Sequence, residues 1–164
     1  MSKEVTFRGL RSGDIGLILY RHGVLYAQEL GWDTRAEVFW AKIMVDVVDN
    51  FDPEKEIFWI AEREGEFVGC VGVCKDRQLD DTARLRLLLV EPAARGLGLG
   101  KKLIQKSLDF AREKGYHKMV LSTQSALTQA RKLYQAAGFQ KICDEDDGKW
   151  KQDGSHGEFW TMDL

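Results

Sequence analysis

The 164-residue sequence predicts an α/β (α+β) fold. Three observations carry that expectation. Short apolar or alternating runs are interleaved with longer runs at helical spacing, in the order β-α-α-β-β-β-α-β-α-β-β. A glycine-rich loop, Arg95-Gly96-Leu97-Gly98-Leu99-Gly100-Lys101, joins an apolar strand-like run to a helix-like one. The length suits a single domain over residues 1–164, with roughly 70% of the chain's surface buried on folding.

The elements follow in order. Val5-Thr6-Phe7-Arg8 reads as a short first strand. Ser12, Gly13 and Asp14 are N-cap candidates for a helix carrying Ile15, Ile18, Leu19, Tyr26 and Leu30, which Gly31 can stop. Asp33-Thr34 can cap a second helix carrying Val38, Phe39, Ile43, Val45, Val48 and Phe51, with Trp40 as a core aromatic and Asp52-Pro53 as its end. Ile57–Ala61 is a strand, Glu64-Gly65-Glu66 a turn, and Phe67–Val73 its hairpin partner, whose small residues suggest a close backbone or ligand. The run from Ala83 to Val90 starts by alternating and ends apolar on both faces, as for a strand passing from an edge-like zone to the sheet centre, and Pro92 ends its ladder. The next helix buries Leu103, Ile104, Leu108 and Ala111 and stops at Gly115. A strand over His117–Thr123 precedes a helix with Leu127, Ala130, Tyr134 and Ala137 on one stripe and Gly138 at its stop. Final strands, around Gln140–Cys143 and Glu158–Met162, flank a polar loop from Asp144 to His156.

Composition narrows the function classes. A net charge of −2 gives no strong attraction to nucleic acid or membrane. No apolar run approaches a membrane span, and Met1-Ser2-Lys3-Glu4-Val5 lacks a signal-peptide pattern. Cys70, Cys74 and Cys143 do not form a disulfide framework. Cys70 and Cys74, four apart on a strand, would stand roughly 13 Å apart, and their spacing does not match zinc ligands. Free thiols in a reducing cytoplasm, with no metal, are the expectation.

The loop carries the chemistry. Its glycines let backbone approach a ligand closely, and the amides from Gly96 to Lys101 open a helix whose positive dipole end suits phosphate. Arg95, Lys101 and Lys102 add positive charge. A Walker A loop is excluded because Arg95 and Lys102 stand where Gly and Ser or Thr are needed. A dinucleotide fingerprint is excluded because the spacing is G-x-G-x-G. What remains is R-x-x-G-x-G between a strand and a helix. On the first helix His22, Tyr26 and Glu29 share a stripe with Ile18. They form either one wall of an acceptor pocket or a satisfied core histidine with a rim glutamate.

The R-x-x-G-x-G loop after Leu-Leu-Val-Glu-Pro resembles the pyrophosphate loop of the GNAT N-acetyltransferase superfamily. The segment A-x-x-L-Y-x-x-x-G-F, from Ala130 to Phe139, resembles its second signature. The element order is similar to the whole GNAT fold, which implies a central mixed, mostly antiparallel sheet with helices on both faces. Residues 20–27, 31–33 and 85–98 are most similar in pattern to the acetyltransferase halves of MarR–GNAT fusion proteins. No helix-turn-helix half precedes the domain here, so transcriptional regulation is not carried over.

The resemblance implies acetyl-CoA as co-substrate and an amine as acceptor, in a cytoplasmic enzyme, with a homodimer possible. It implies that amides of Gly96, Leu97, Gly98, Leu99, Gly100 and Lys101, with Arg95, hold the pyrophosphate. Leu88 then donates to the thioester oxygen, Val90 holds the pantetheine arm, and Tyr134 sits at the general-acid position. The alternative for Tyr134, read from residues alone, is a core aromatic. A phenol can protonate a departing thiolate because its pKa lies above a thiol's. Two departures stand out. Arg84 occupies the place where some relatives carry a basic glutamate, leaving Glu29, His22 or Glu91 as the base. Leu127 replaces a pantetheine-binding asparagine, with Thr123 or Gln124 as substitutes. A non-catalytic acetyl-CoA sensor is the alternative function.

Overall fold

The computed structural model describes residues 4–146, 148, 151 and 153–164. Met1, Ser2 and Lys3, and residues 147, 149, 150 and 152 of the expected polar loop, lie outside the described residues. The chain runs β1 (Val5–Arg8), α1 (Asp14–Leu30), α2 (Thr34–Asp49), β2 (Ile57–Arg63), β3 (Glu66–Lys75), β4 (Thr82–Val90), a 3-10 turn (Pro92–Ala94), α3 (Leu99–Glu113), β5 (Lys118–Gln124), α4 (Thr128–Ala137), β6 (Gln140–Glu145) and β7 (Gly157–Asp163). The strands form one seven-stranded sheet in the order β1-β2-β3-β4-β5-β7-β6. All neighbours are antiparallel except β4 and β5.

Strand alternation divides the core into two layers. Val71 and Val73 of β3 face α3, meeting Leu103, Ile104 and Leu108. Cys70 and Cys74 face the other way, with Phe58 and Ile60 of β2, toward Ile18 and Leu25 of α1 and Met44 and Val47 of α2. Each fully buried side chain of this kind contributes about 1.5–3 kcal/mol. The second helix departs from the sequence expectation. It buries Ala36, Trp40, Met44 and Val47, leaving Val38, Val45, Val48 and Phe51 exposed. The helix meets the sheet along the Trp40 stripe, so the valines fall on the opposite side. It also ends at Asp49, before the Asp52-Pro53 stop.

The caps divide similarly. Asp33 accepts from the Arg35 amide and caps α2 as expected. At α1, Gly13 is the N-cap, in a left-handed conformation, and Asp14 lies inside the helix. Its carboxylate receives Arg8 in a two-point ion pair at 2.7 and 3.1 Å and the Arg11 amide at 2.6 Å. Those contacts tie β1 to α1 and hold the Asp14 carboxyl below its ordinary range.

The feature that positions the site is the break in β4. Cys70 pairs with Leu89 and Gly72 with Arg86, so Leu87 and Leu88 together oppose Val71. Leu87 has φ 52°, in the left-handed region, which costs a leucine about 1–2 kcal/mol. The buried Cys70 thiol donates to the Leu87 carbonyl at 3.3 Å. β4 and β5 separate just ahead of this bulge. Their parallel pairing covers only Thr82–Arg84 with Lys118–Val120, while β5 continues against β7. The expectation for β4 is therefore reversed. Its first part is bonded on both sides, and its apolar end pairs with β3 alone. That end is apolar on both faces because helices cover both sides of it, not because the ladder continues.

Gly69 shows how tightly β3 lies against this segment. A Cβ there would stand 2.6 Å from the Leu89 carbonyl oxygen, so only glycine fits without moving backbone.

Candidate active site

Three connected spaces surround the β4–β5 split. The first is a cleft of about 770 Å³ lined by Leu88, Val90, Arg95, Gly96, Gly98, Leu99, Gly100 and Lys101, by Tyr26 and Glu29 of α1, and by Leu127–Ala130 and Leu133 at the start of α4. The second is a throat of about 80 Å³ between the strands, where His22, Tyr26, Trp40, Arg86, Leu88, Gln124 and Tyr134 converge. The third is a cavity of about 530 Å³ on the α2 side, which includes Asp46, Asp76, Arg77, Arg84 and Arg86. Tyr26, Leu88 and Leu127 line both cleft and throat, and Arg86, Ser122 and Gln124 line both throat and outer cavity.

The loop is built for an anion. Gly96 and Gly98 both have φ 76°, which turns the chain into α3. The first backbone bond of α3 runs from the Lys102 amide to the Gly98 carbonyl at 3.0 Å. The amides before it lie ahead of the helical ladder and open toward the cleft, and no acidic side chain occupies the first turn. Gly100 admits close packing of α3 on α4, where an added Cβ would meet Leu133 at 2.7 Å. Of the expected loop residues, Leu97 does not line the cleft and stands exposed at the tip. Lys102 leaves the cleft too, its ammonium lying over the Phe7 ring at 5.4 Å. Arg95 is engaged, donating to Glu29 at 2.6 Å across the cleft mouth and from Nε to the Val90 carbonyl at 3.3 Å.

The aromatic wall comes from packing that spacing alone does not show. Tyr26, Trp32 and Trp40 stack with centroids 5.3–6.3 Å apart. His22 lies 5.3 Å from Trp40, and the Trp32 indole donates to Asp153 at 2.7 Å. His22 is buried, with Nδ1 2.8 Å from the Ile18 carbonyl. A carbonyl only accepts, so Nδ1 carries the proton. Burial pulls the His22 pKa down to about 4, leaving a neutral ring with Nε2 as an acceptor. Tyr134 is buried with its ring edge on Phe139 and tilted on Trp160. Burial first, then the nearby Tyr26, raises its phenol above the ordinary range. Among the described residues its hydroxyl has no hydrogen-bond partner. Both alternatives for Tyr134 thus have a physical basis in one residue: its ring is core, and it also lines the throat.

The candidate bases are occupied. Glu91 takes a bidentate Arg21 at 2.6 and 2.8 Å, and Glu29 takes Arg95. Gln124 lies in the throat and outer cavity, accepting from Lys151, and does not line the cleft. Thr123 also lines the throat. Arg84 pairs with Asp76 at 2.7 Å and with Ser122 at 2.9 Å. Burial opposes ionisation of Asp76, but Arg84 and the amides of Gln78 and Leu79 hold its carboxyl below the usual range. Elsewhere, Asp144, His156 and Glu158 bring ligand-type atoms within 4.8 Å of one another, and Arg131 and Lys141 occupy the Glu158 oxygens.

The sequence reading missed three contributors to this site. Arg86 carries no motif and enters the throat through the bulge. Trp32 and Trp40 had an apolar pattern but no sign that they line a throat.

A strand-splayed mixed sheet with an anion loop at the split defines an acyl-CoA transferase type of scaffold, and the comparisons agree. The profile of the Acetyltransferase (GNAT) family matches residues 25–139, and the chain belongs to that family. It is 35% identical over 118 residues to the probable N-acetyltransferase camello of Xenopus tropicalis, covering 71% of this chain and 52% of that one. It is 34% identical over 95 residues to the N-acetylaspartate synthetase of Danio rerio, covering 58% of this chain and 33% of that one. The chain thus spans about half the length of the first relative and a third of the second. A GNAT-family acetyltransferase from Staphylococcus aureus Mu50 shares the fold over 98% of this chain and 99% of its own, with TM-score 0.76 and 18% identity. A candidate acetyltransferase of Salmonella typhimurium, solved with acetyl-CoA, superposes with TM-score 0.65 and 22% identity over 98% of this chain and 94% of its own. Among the described residues, no helix is long and apolar enough to cross a membrane.

Proposed function

We propose that the chain is an acetyl-CoA-dependent N-acetyltransferase that moves an acetyl group to the amine of a small molecule or peptide by direct attack. The observation that carries this reading is continuity. The anion loop opens into the cleft, the cleft narrows at Leu88, and the throat beyond it leads to a separate cavity. Two reactants can therefore enter from opposite sides and meet at the bulge. We read residues 1–164 as a single domain, a reading supported by the one sheet that the seven described strands form.

The roles follow from position. The amides from Gly96 to Lys101, with the Lys101 side chain, receive the pyrophosphate. Val90, bonded to β3 alone, lines the cleft where the pantetheine arm would run. The Leu88 amide, beside the bulge, donates to the oxygen that becomes anionic during attack. Tyr134 supplies the proton to the departing sulfur. The His22 Nε2 orients the incoming amine as a hydrogen-bond acceptor, and its low pKa makes it a weak base. Glu29, tied to Arg95, belongs to the cofactor side of the throat, with Tyr26 at the junction.

The alternative, a non-catalytic acetyl-CoA sensor, is favoured by one observation: Glu29 and Glu91 are both held in ion pairs. Two measurements separate the readings. Calorimetry with acetyl-CoA tests binding, and thiol titration of released CoA over an amine panel tests transfer. Binding with amine-dependent CoA release supports the enzyme. Binding without release over the panel supports the sensor.

A further inference from the structure

Arg86 is out of place for a site that receives only an amine. It lies where throat and outer cavity join. The bulge sets Arg86 and Leu87 on the same face of β4, so the guanidinium turns toward α2 rather than into the α3 layer. Its surroundings are charged but already satisfied. Arg77 takes Asp46 at 3.3 Å and Glu56 at 3.0 Å, and Arg84 takes Asp76. Among the described residues, Arg86 has neither a hydrogen bond nor an ion pair. Desolvation first, and Arg84 second, hold it below the usual arginine pKa. Arg86 is half-buried, and its five donors are open to the cavity and available to a ligand.

We propose that Arg86 binds a carboxylate of the acceptor, so that the substrates are amines carrying a carboxylate a few carbons away, as free amino acids do. The proposal rests on the transferase reading given above. Arg86 lies two residues from Leu88, and both line the small throat. An amine at the bulge and a carboxylate on Arg86 therefore fit one small molecule. The planar fork matches a carboxylate in bidentate geometry. A single carboxylate suits the cavity better than a phosphate dianion, because Glu145 and Asp146 line the same space and repel added negative charge. Tyr26, Trp32 and Trp40 leave the rest of the throat wall aromatic, which suits an apolar side chain or short aliphatic spacer.

The test uses matched acceptors: glycine, β-alanine, L-glutamate and L-phenylalanine, each beside its carboxamide and its decarboxylated amine, with 2-aminoethylphosphonate added. The expected result is a carboxylate-to-carboxamide ratio of kcat/KM of about 10–100 in the wild type. That ratio falls toward one in Arg86→Gln and is partly kept in Arg86→Lys. Unchanged acetyl-CoA affinity shows that the variants are folded. A wild-type ratio near one, a ratio that survives Arg86→Gln, or a preference for the phosphonate overturns the proposal and leaves the transferase reading standing. If no amine releases CoA although acetyl-CoA binds, the transferase reading fails. The same amino acids and carboxamides are then titrated into the CoA-saturated protein. Selective binding of the carboxylates, lost in Arg86→Gln, supports the Arg86 assignment, and no selectivity overturns it.

Discussion

Replacing Tyr134 with phenylalanine separates the two parts that this residue plays. The variant keeps the ring that packs on Phe139 at 6.0 Å and on Trp160 at 6.4 Å. It removes one hydroxyl that is not hydrogen-bonded to any described residue. No partner is orphaned, so stability should change by less than about 1 kcal/mol, or about 2–4 °C in thermal midpoint. If the hydroxyl gives its proton to the departing sulfur, kcat should fall by about 10²–10⁴, equivalent to about 3–5 kcal/mol of barrier. The kinetic loss thus exceeds the stability change, and acetyl-CoA affinity by calorimetry should barely move. Because burial raises the phenol, it stays protonated across the working range and should add no basic limb to the pH profile below about pH 10. The loss should shrink with an acyl donor whose leaving thiol has a lower pKa, since that thiolate departs without help. A variant with near-full kcat, under conditions where product release is shown not to limit turnover, would refute the acid role and leave Tyr134 as core.

Three further outcomes are expected. Wild-type stability should fall as pH drops from 6.5 to 4. The His22 pKa is depressed from 6.5 to about 4, so the unfolded chain binds the proton first, and the stability present above pH 6.5 is lost through that window, by about 3 kcal/mol in all. Denaturant melts of His22→Phe against pH should lack this component, and parallel curves for the two proteins count against it. Gly69→Ala should cost about 1–3 kcal/mol because its Cβ meets backbone oxygen rather than a movable side chain, and an unchanged thermal midpoint would show that β3 and β4 can part. Glu29→Gln should release Arg95 toward the loop and tighten acetyl-CoA binding by up to about fivefold, the scale of a solvent-exposed pair. Weaker binding on calorimetry would show instead that Glu29 contributes directly.

Much was legible in the sequence because it depends on local rules. Gly31 and Gly138 stop their helices in left-handed conformations, Asp33 caps α2, and the loop from Gly96 to Lys101 opens α3. Each depends on the conformational range or hydrogen-bonding capacity of a few neighbouring residues, which composition and spacing record directly. Val38, Val45 and Val48 show where that logic ends. Helical spacing gave an apolar stripe, but α2 turned Ala36, Trp40 and Met44 inward, because the face a helix buries is chosen by the shape of the sheet beneath it. The bulge was likewise invisible, since Leu87 looks like any strand leucine and its φ of 52° is imposed by the mismatch between β3 and β4. That irregularity puts Arg86 and Leu87 on one face of β4, beside a split from β5 that begins already after Arg84. The sequence by itself determined the family, the loop and the order of elements. The tertiary structure decided which charges remain unpaired, because pairing depends on distances between segments far apart in the chain.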